Sequence, residues 1–196
     1  MNLKKVITAV MMFCLLCGTG FALQEFKADK AHSSVVFSIR HMMVSKVEGR
    51  FNDFDVTIMA DTADITKSTA TAVIKAASID TDNEQRDTHL RSGDFFDVQK
   101  FPDITFKSIA VKKKDNNYVL WGILTMHGVA KNIEIPFEIL GHIADAQGNI
   151  RVGIEGKTTL DRKDYGLTWN KTLDQGGLAV GNEVEIKILL ELVGKK

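Results

Sequence analysis

From residue 35 to residue 192 apolar and polar side chains alternate, with a period of two, in segment after segment. That period predicts half-buried strands. Val35, Phe37 and Ile39 share one face, and Ser34, Ser38 and Arg40 the other. Val47, Gly49 and Phe51 alternate with Glu48 and Arg50, and residues 55–58 resume the pattern. Residues 69–76 set Thr71 and Val73 against Ala72 and Ile74, with Val73 read as inward. Ile104 and Phe106 face away from Thr105 and Lys107. Residues 117–126 divide into Tyr118, Leu120, Leu124 and Met126 against Val119, Trp121, Ile123 and Thr125. Further runs follow at Ile133, Ile135, Phe137 and Ile139, at Ile150, Val152 and Ile154, and at Val184, Ile186, Ile188, Leu190 and Leu192.

This reading gives eight strands, several of them long. Short turns such as His127-Gly128 and 145–148 imply antiparallel neighbours. Such strands tend to close into a barrel, because closure removes exposed edges. A two-sheet sandwich is the alternative. Pro136 sits inside an otherwise good strand and has no N–H to donate, so it predicts a bulge or a poorly paired stretch of wall.

One segment departs from the period. Thr81 and Glu84 have capping-box spacing, Gln85–Arg91 are good helix formers, and Ser92-Gly93 would stop the helix. A lone helix on an all-β protein covers one end or side. Leu90, Phe95, Phe96 and Phe101 are the apolar residues available for that task.

The first 22 residues read differently. Lys4 and Lys5 precede an apolar run from Val6 to Leu16, and small residues stand at Gly20 and Ala22. A basic start, a short apolar centre and a small-x-small end predict a secretory signal peptide over residues 1–22, followed by one domain over 23–196. The whole chain has 25 basic and 25 acidic residues. Removing 1–22 takes out two lysines and both cysteines, leaving 23 basic against 25 acidic residues. A slightly acidic chain argues against nucleic acid as partner. Without cysteine, thiolate chemistry, thiolate metal sites and disulfides drop out of the mature protein.

Catalytic motifs are weak. The five histidines do not form the i, i+4 pair of a helical zinc site. There is neither a Gly-x-Ser-x-Gly elbow nor a phosphate-binding glycine loop. The interior is more informative. An eight-stranded barrel is either filled by side chains or holds one small ligand. Ten residues make a wall of about 33 Å before tilt, and Gly49, Gly122 and Gly156 leave room beside the inward apolar side chains. Alternation alone leaves the filled and the hollow barrel both open.

Several blocks, in order, resemble the YceI-like family of secreted bacterial proteins. They are residues 29–33 with Val35, Phe37 and His41; Val47, Gly49 and Phe51; residues 77–79 followed by Arg86, Asp87, His89 and Leu90; and residues 94–97. Phe101-Pro102 with Ile104 and Phe106, Gly122 with Leu124, residues 162–167 and residues 180–184 complete the match. The resemblance runs from about Phe26 to Leu192. It implies a lipocalin-like eight-stranded antiparallel barrel with one helical crossover, in the periplasm or secreted. It also implies a long pore for an isoprenoid, quinone-like or fatty-amide lipid, no catalytic residue, no resident cofactor or metal, and a homodimer.

Mapped by alternation, the lipid tail would meet Phe37, Ile39, Phe51, Val73, Phe106, Leu120, Leu124, Ile135, Phe137, Ile154, Ile186 and Ile188, with Phe95 and Phe96 over the tube. His41, Arg86, His89, Arg91 and Arg162 are the candidates for a polar head, since guanidinium groups suit anionic oxygens. Two other readings stand beside this one. An enzyme would use His41 or His89 on a hydrophobic substrate inside the barrel. An interaction module for a membrane redox partner would have the barrel packed solid.

Overall fold

The computed structural model describes residues 23–173 and 176–195; the signal peptide expected over 1–22 lies outside them. Eleven strands run β1 (Gln24–Ala28), β2 (Ser34–His41), β3 (Ser45–Phe51), β4 (Phe54–Ala60), β5 (Thr69–Lys75), β6 (Ile79–Asp80), β7 (Asp103–Lys114), β8 (Asn117–Met126), β9 (Val129–Ala144), β10 (Ile150–Asp161) and β11 (Val180–Gly194). One α-helix, α1 (Glu84–Arg91), lies between β6 and β7.

All pairings are antiparallel, and the sheet closes. The order is β1-β4-β5-β7-β8-β9-β10-β11, and β11 returns to β1 through Phe26↔Gly194 and Ala28↔Leu192. These are eight staves, three of them broken. β1 and β2 both lie along β11, interrupted at 29–33. β3 continues into β4 past Asn52 and Asp53, and β5 into β6 past a 3₁₀ turn at Ala76–Ser78. The alternation therefore counted the walls correctly and caught the break between β3 and β4, but missed β1 and β6.

Turn chemistry fixes the hairpins. His127 and Gly128 both have positive φ, as the two-residue type I′ connection between β8 and β9 requires. The three-residue loop between β2 and β3, residues 42–44, also has positive φ at Met42 and Met43, 49° and 63°, and Val44 N–H closes a type I′ turn by donating to His41 O. Left-handed backbone costs a side-chain-bearing residue about 1–2 kcal/mol, so this turn is built from unfavourable residues.

Pro136 pairs with Val119 of β8, while the ladder between β9 and β10 ends one residue away at Phe137↔Gly156. The missing N–H falls where the wall opens, as expected. The bulge itself lies elsewhere, where the register shifts between Gly153 and Ile154.

The helix starts later than the capping box suggested. Asn83 is the cap, its side chain accepting from Arg86 N–H at 2.9 Å. Thr81 is buried and serves the Asp87 carboxylate instead, donating from N and from Oγ1. Phe96, Leu90 and Val98 pack against the core cluster that includes Phe51, Phe54, Ile79 and Ile104. The helix thus packs on β6, and the Phe96 ring meets Phe51 of β3 edge-on where the pairing of β3 with β6 spans only Arg50 and Phe51.

Candidate functional site: a long apolar cavity

The barrel is hollow. A cavity of about 940 Å³ runs along its axis, near the upper end for sites that hold small ligands. On β11 its lining extends from Val180 to Leu192, about 40 Å of strand and about 30 Å of axis at the usual barrel tilt.

The middle is apolar because the inward positions of every long strand are. Phe37, Ile39, Phe51, Phe106, Leu120, Leu124, Ile135, Phe137, Ile154, Ile186 and Ile188 all line it, with Phe95 and Phe96 near the helix. Val73 is a correction. It points outward and is 37% exposed, while Ala72 and Ile74 line the cavity. Ile74 pairs with Ile104, and Val73 with Thr105 on the outer face.

Two of the three glycines also need correcting, while Gly156 lines the cavity as expected. The space at Gly49 is filled by the Phe37 ring and that at Gly122 by the Phe106 ring, since a Cβ at either would come within 2.5 Å of ring carbon. Glycine here lets an aromatic side chain lie flat on the wall.

Polar groups gather at the two ends. The end away from the helix has Gln24, Thr62, Ser68, Thr69 and His142. The helix end has His41, Asn83, Gln85, Arg86, His89, Arg162 and Trp169. Arg86 is held by Thr81, donating to Oγ1 at 2.8 Å and to the carbonyl at 2.7 Å. His89 shares a 2.8 Å hydrogen bond with Asp94 Oδ2 and meets Phe95 and Trp169 edge-on. Arg91, the other expected head contact, is not on the cavity. Its guanidinium donates to the carbonyls of Ala77 and Ile79, pinning the helix to the broken stave.

Arg162 is the most unusual of these groups. It starts a 3₁₀ turn, Arg162–Tyr165, capped by the Asp161 carboxylate and ended by Gly166 at φ 78°. The side chain is 3% exposed. Nε donates to Gly181 O at 2.8 Å and Nη1 to Leu167 O. Nη2 has no hydrogen-bond partner among the described residues. Burial pushes the guanidinium pKa down, against the weaker pull of Asp161. A buried cation without a bonded carboxylate is costly. Nearby in sequence, burial also pushes the Tyr165 hydroxyl up to about 12.

Trp169 was missed because it lies in a loop, where no period marks an inward residue. An acidic cluster lies elsewhere. Asp29, His32 and Glu191 offer ligand atoms within 4.8 Å of one another, but Arg151 already serves Asp29, Asp145 and Glu191 there.

A closed antiparallel barrel around a long apolar cavity is the architecture of a binding protein. Comparison with known proteins gives the family. The YceI-like domain model matches residues 26–192, and the chain belongs to that family. A UPF0312 protein of Pectobacterium atrosepticum is 36% identical over 99% of this chain and all of its own. One from Staphylococcus aureus is 38% identical over 86% of this chain and 97% of its own. Among solved structures, BcnA of Burkholderia cenocepacia superposes with a TM-score of 0.74 at 25% identity, covering 86% of this chain and 99% of its own. A polyisoprenoid-binding domain from Saccharophagus degradans shares the fold at a TM-score of 0.63 and 15% identity, covering 88% and 99%.

Proposed function

We propose that this protein holds one long-chain amphiphilic lipid, with an isoprenoid or fatty tail in the barrel, and carries or stores it without chemical turnover. The observation that carries the reading is the continuous apolar lining from Val180 to Leu192 inside a closed barrel. Burying about ten methylenes yields about 8 kcal/mol before ordering costs. A tail of that kind has no polar group that the lumen leaves unpaired.

The head lies at the helix end, where Arg86, His89, Arg162 and Trp169 converge on the cavity. The polyisoprenoid-binding neighbour and the family both support a lipid cargo. Residues 1–22 support export to the periplasm or beyond. The homodimer implied by the family has a candidate face on the outer wall, where Leu140 and Ile143 are 59% and 67% exposed.

The test is uptake. Delipidated protein is titrated with a prenyl alcohol, a quinone and a fatty amide, and binding is followed by tryptophan fluorescence, since Trp169 lines the cavity. Saturable one-to-one uptake of at least one of them is expected. Failure to take up any of the three contradicts the reading.

A further inference from the structure

We propose that the β2–β3 hairpin tip is a membrane-docking element that sets the helix end of the cavity against a lipid bilayer. The proposal rests on the lipid-cargo reading for its purpose, and on separate observations for its site. Met42, Met43 and Val44 stand consecutively at the tip and are 45%, 66% and 87% exposed. A type I′ turn favours Asn-Gly, yet both central positions here are methionine with left-handed backbone. Folding gains little from that choice beyond a contact of Met43 Sδ with Gly177 of the neighbouring loop. Large apolar side chains are held out at a conformational cost, on a turn that a polar pair would make better.

The surroundings fit the same partner. The neighbouring loop is tied to the tip by Met42 N–H donating to Ala179 O, and Ala179 N–H to Lys171 O. It adds Leu178, 40% exposed. Arg40 and Lys171 on this rim are exposed and have no carboxylate partner among the described residues. Apolar side chains with two cations beside them, Arg40 and Lys171, suit an anionic lipid interface. The next residues inward, Arg40, His41, Ala179 and Val180, line the cavity, so a bilayer touching the tip also touches the mouth. A second copy of the chain fits less well. A narrow hairpin tip cannot bury the roughly 1,200–2,000 Å² of a stable protein interface, whereas a few inserted side chains suffice for a reversible membrane contact.

The variant Met42→Asn/Met43→Gly tests this without threatening the fold, because it installs the pair that the turn prefers. Flotation of the mature protein with vesicles of phosphatidylethanolamine and phosphatidylglycerol is compared with phosphatidylcholine alone, at low and high salt. The native protein should float with the anionic vesicles, less so at high salt. The variant should lose about tenfold in partition for each methionine removed, with equal or higher thermal stability. Its bound-lipid content, read by mass spectrometry, should be unchanged. Equal flotation of variant and native protein, or none by the native protein, overturns the docking assignment. A drop in sedimenting mass with no native flotation assigns the tip to self-association and overturns it too. Flotation by a native protein that carries no lipid leaves docking standing and removes the cargo reading alone.

Discussion

The ring of Phe37 lies across Gly49, its directly paired neighbour on β3, so closely that a Cβ there would sit 2.5 Å from the Phe37 Cζ. The Phe106 ring covers Gly122 from a diagonal position, since Phe106 pairs with Leu124, and there the Lys107 carbonyl at 2.7 Å closes the remaining side. Aromatic rings laid over strand glycines keep the lumen wide while covering bare backbone. Gly122→Ala should therefore destabilise the barrel by about 1–3 kcal/mol through overpacking. Gly49→Ala would meet the Phe37 ring and the Thr81 Cγ2 at 2.7 Å, both side chains and no backbone; it should cost somewhat less, and turning the Phe37 ring aside should narrow the cavity. Urea unfolding of the two variants and lipid uptake by each provide the comparison.

A hollow barrel tolerates enlargement that a packed core does not. Leu120→Trp and Ile186→Trp each add a large ring to the lining of a cavity of about 940 Å³. Both should fold with a loss under about 1 kcal/mol, where a close-packed interior would lose about 1–3 kcal/mol. Lipid uptake should fall in both. A large loss of stability would mean that the interior is filled.

Arg162 carries two roles that substitution can separate. Arg162→Met removes the donors serving Gly181 O and Leu167 O, and leaving these carbonyls unpaired should cost about 1–3 kcal/mol. It also removes a positive charge from the cavity wall, which attracts an anionic head. If the head is anionic, affinity should fall further for it than for an uncharged lipid with the same tail. Equal losses for both lipids would confine Arg162 to a structural role.

Arg151 should govern acid stability. The Asp29 carboxyl is held below the usual carboxylate range by hydrogen bonds from His32 and then Arg151. Asp145 is held low chiefly by Asn149, with Arg151 adding to it. A folded pKa below the unfolded value stabilises the protein above the unfolded value, and that stabilisation disappears as pH falls through the folded one. Native stability from these groups should thus be level down to about pH 4 and fall below it. Arg151→Gln should be less stable at neutral pH and lose less on acidification, so that the two curves converge in acid. Denaturant midpoints measured from pH 7 to pH 2 check the convergence.

Most of the barrel was legible because its strands are long and polar on the outer face. Phe106, Leu124, Ile135 and Ile186 were placed correctly by alternation alone. β5 was not, because Val73 and Ile74 are both apolar and only the partner strand, with Ile104 opposite Ile74, decides which turns inward. Short β1 has five residues and too few periods to register. Charged candidates were harder still. Arg86 and His89 reach the cavity while Arg91 does not, and that depends on the helix phase set by the Asn83 cap. The cost of burying Arg162 is invisible to sequence, since its partners are backbone carbonyls. Trp169 had no period to reveal it.

The central claim is that the lumen holds a lipid, and native mass spectrometry of the mature protein before and after organic extraction tests it most directly. One amphiphile of long hydrocarbon tail per chain should be present before extraction and released by it, with the barrel intact afterwards. A protein that shows only its own mass before extraction, and takes up no prenyl or fatty lipid when offered one, would contradict the claim.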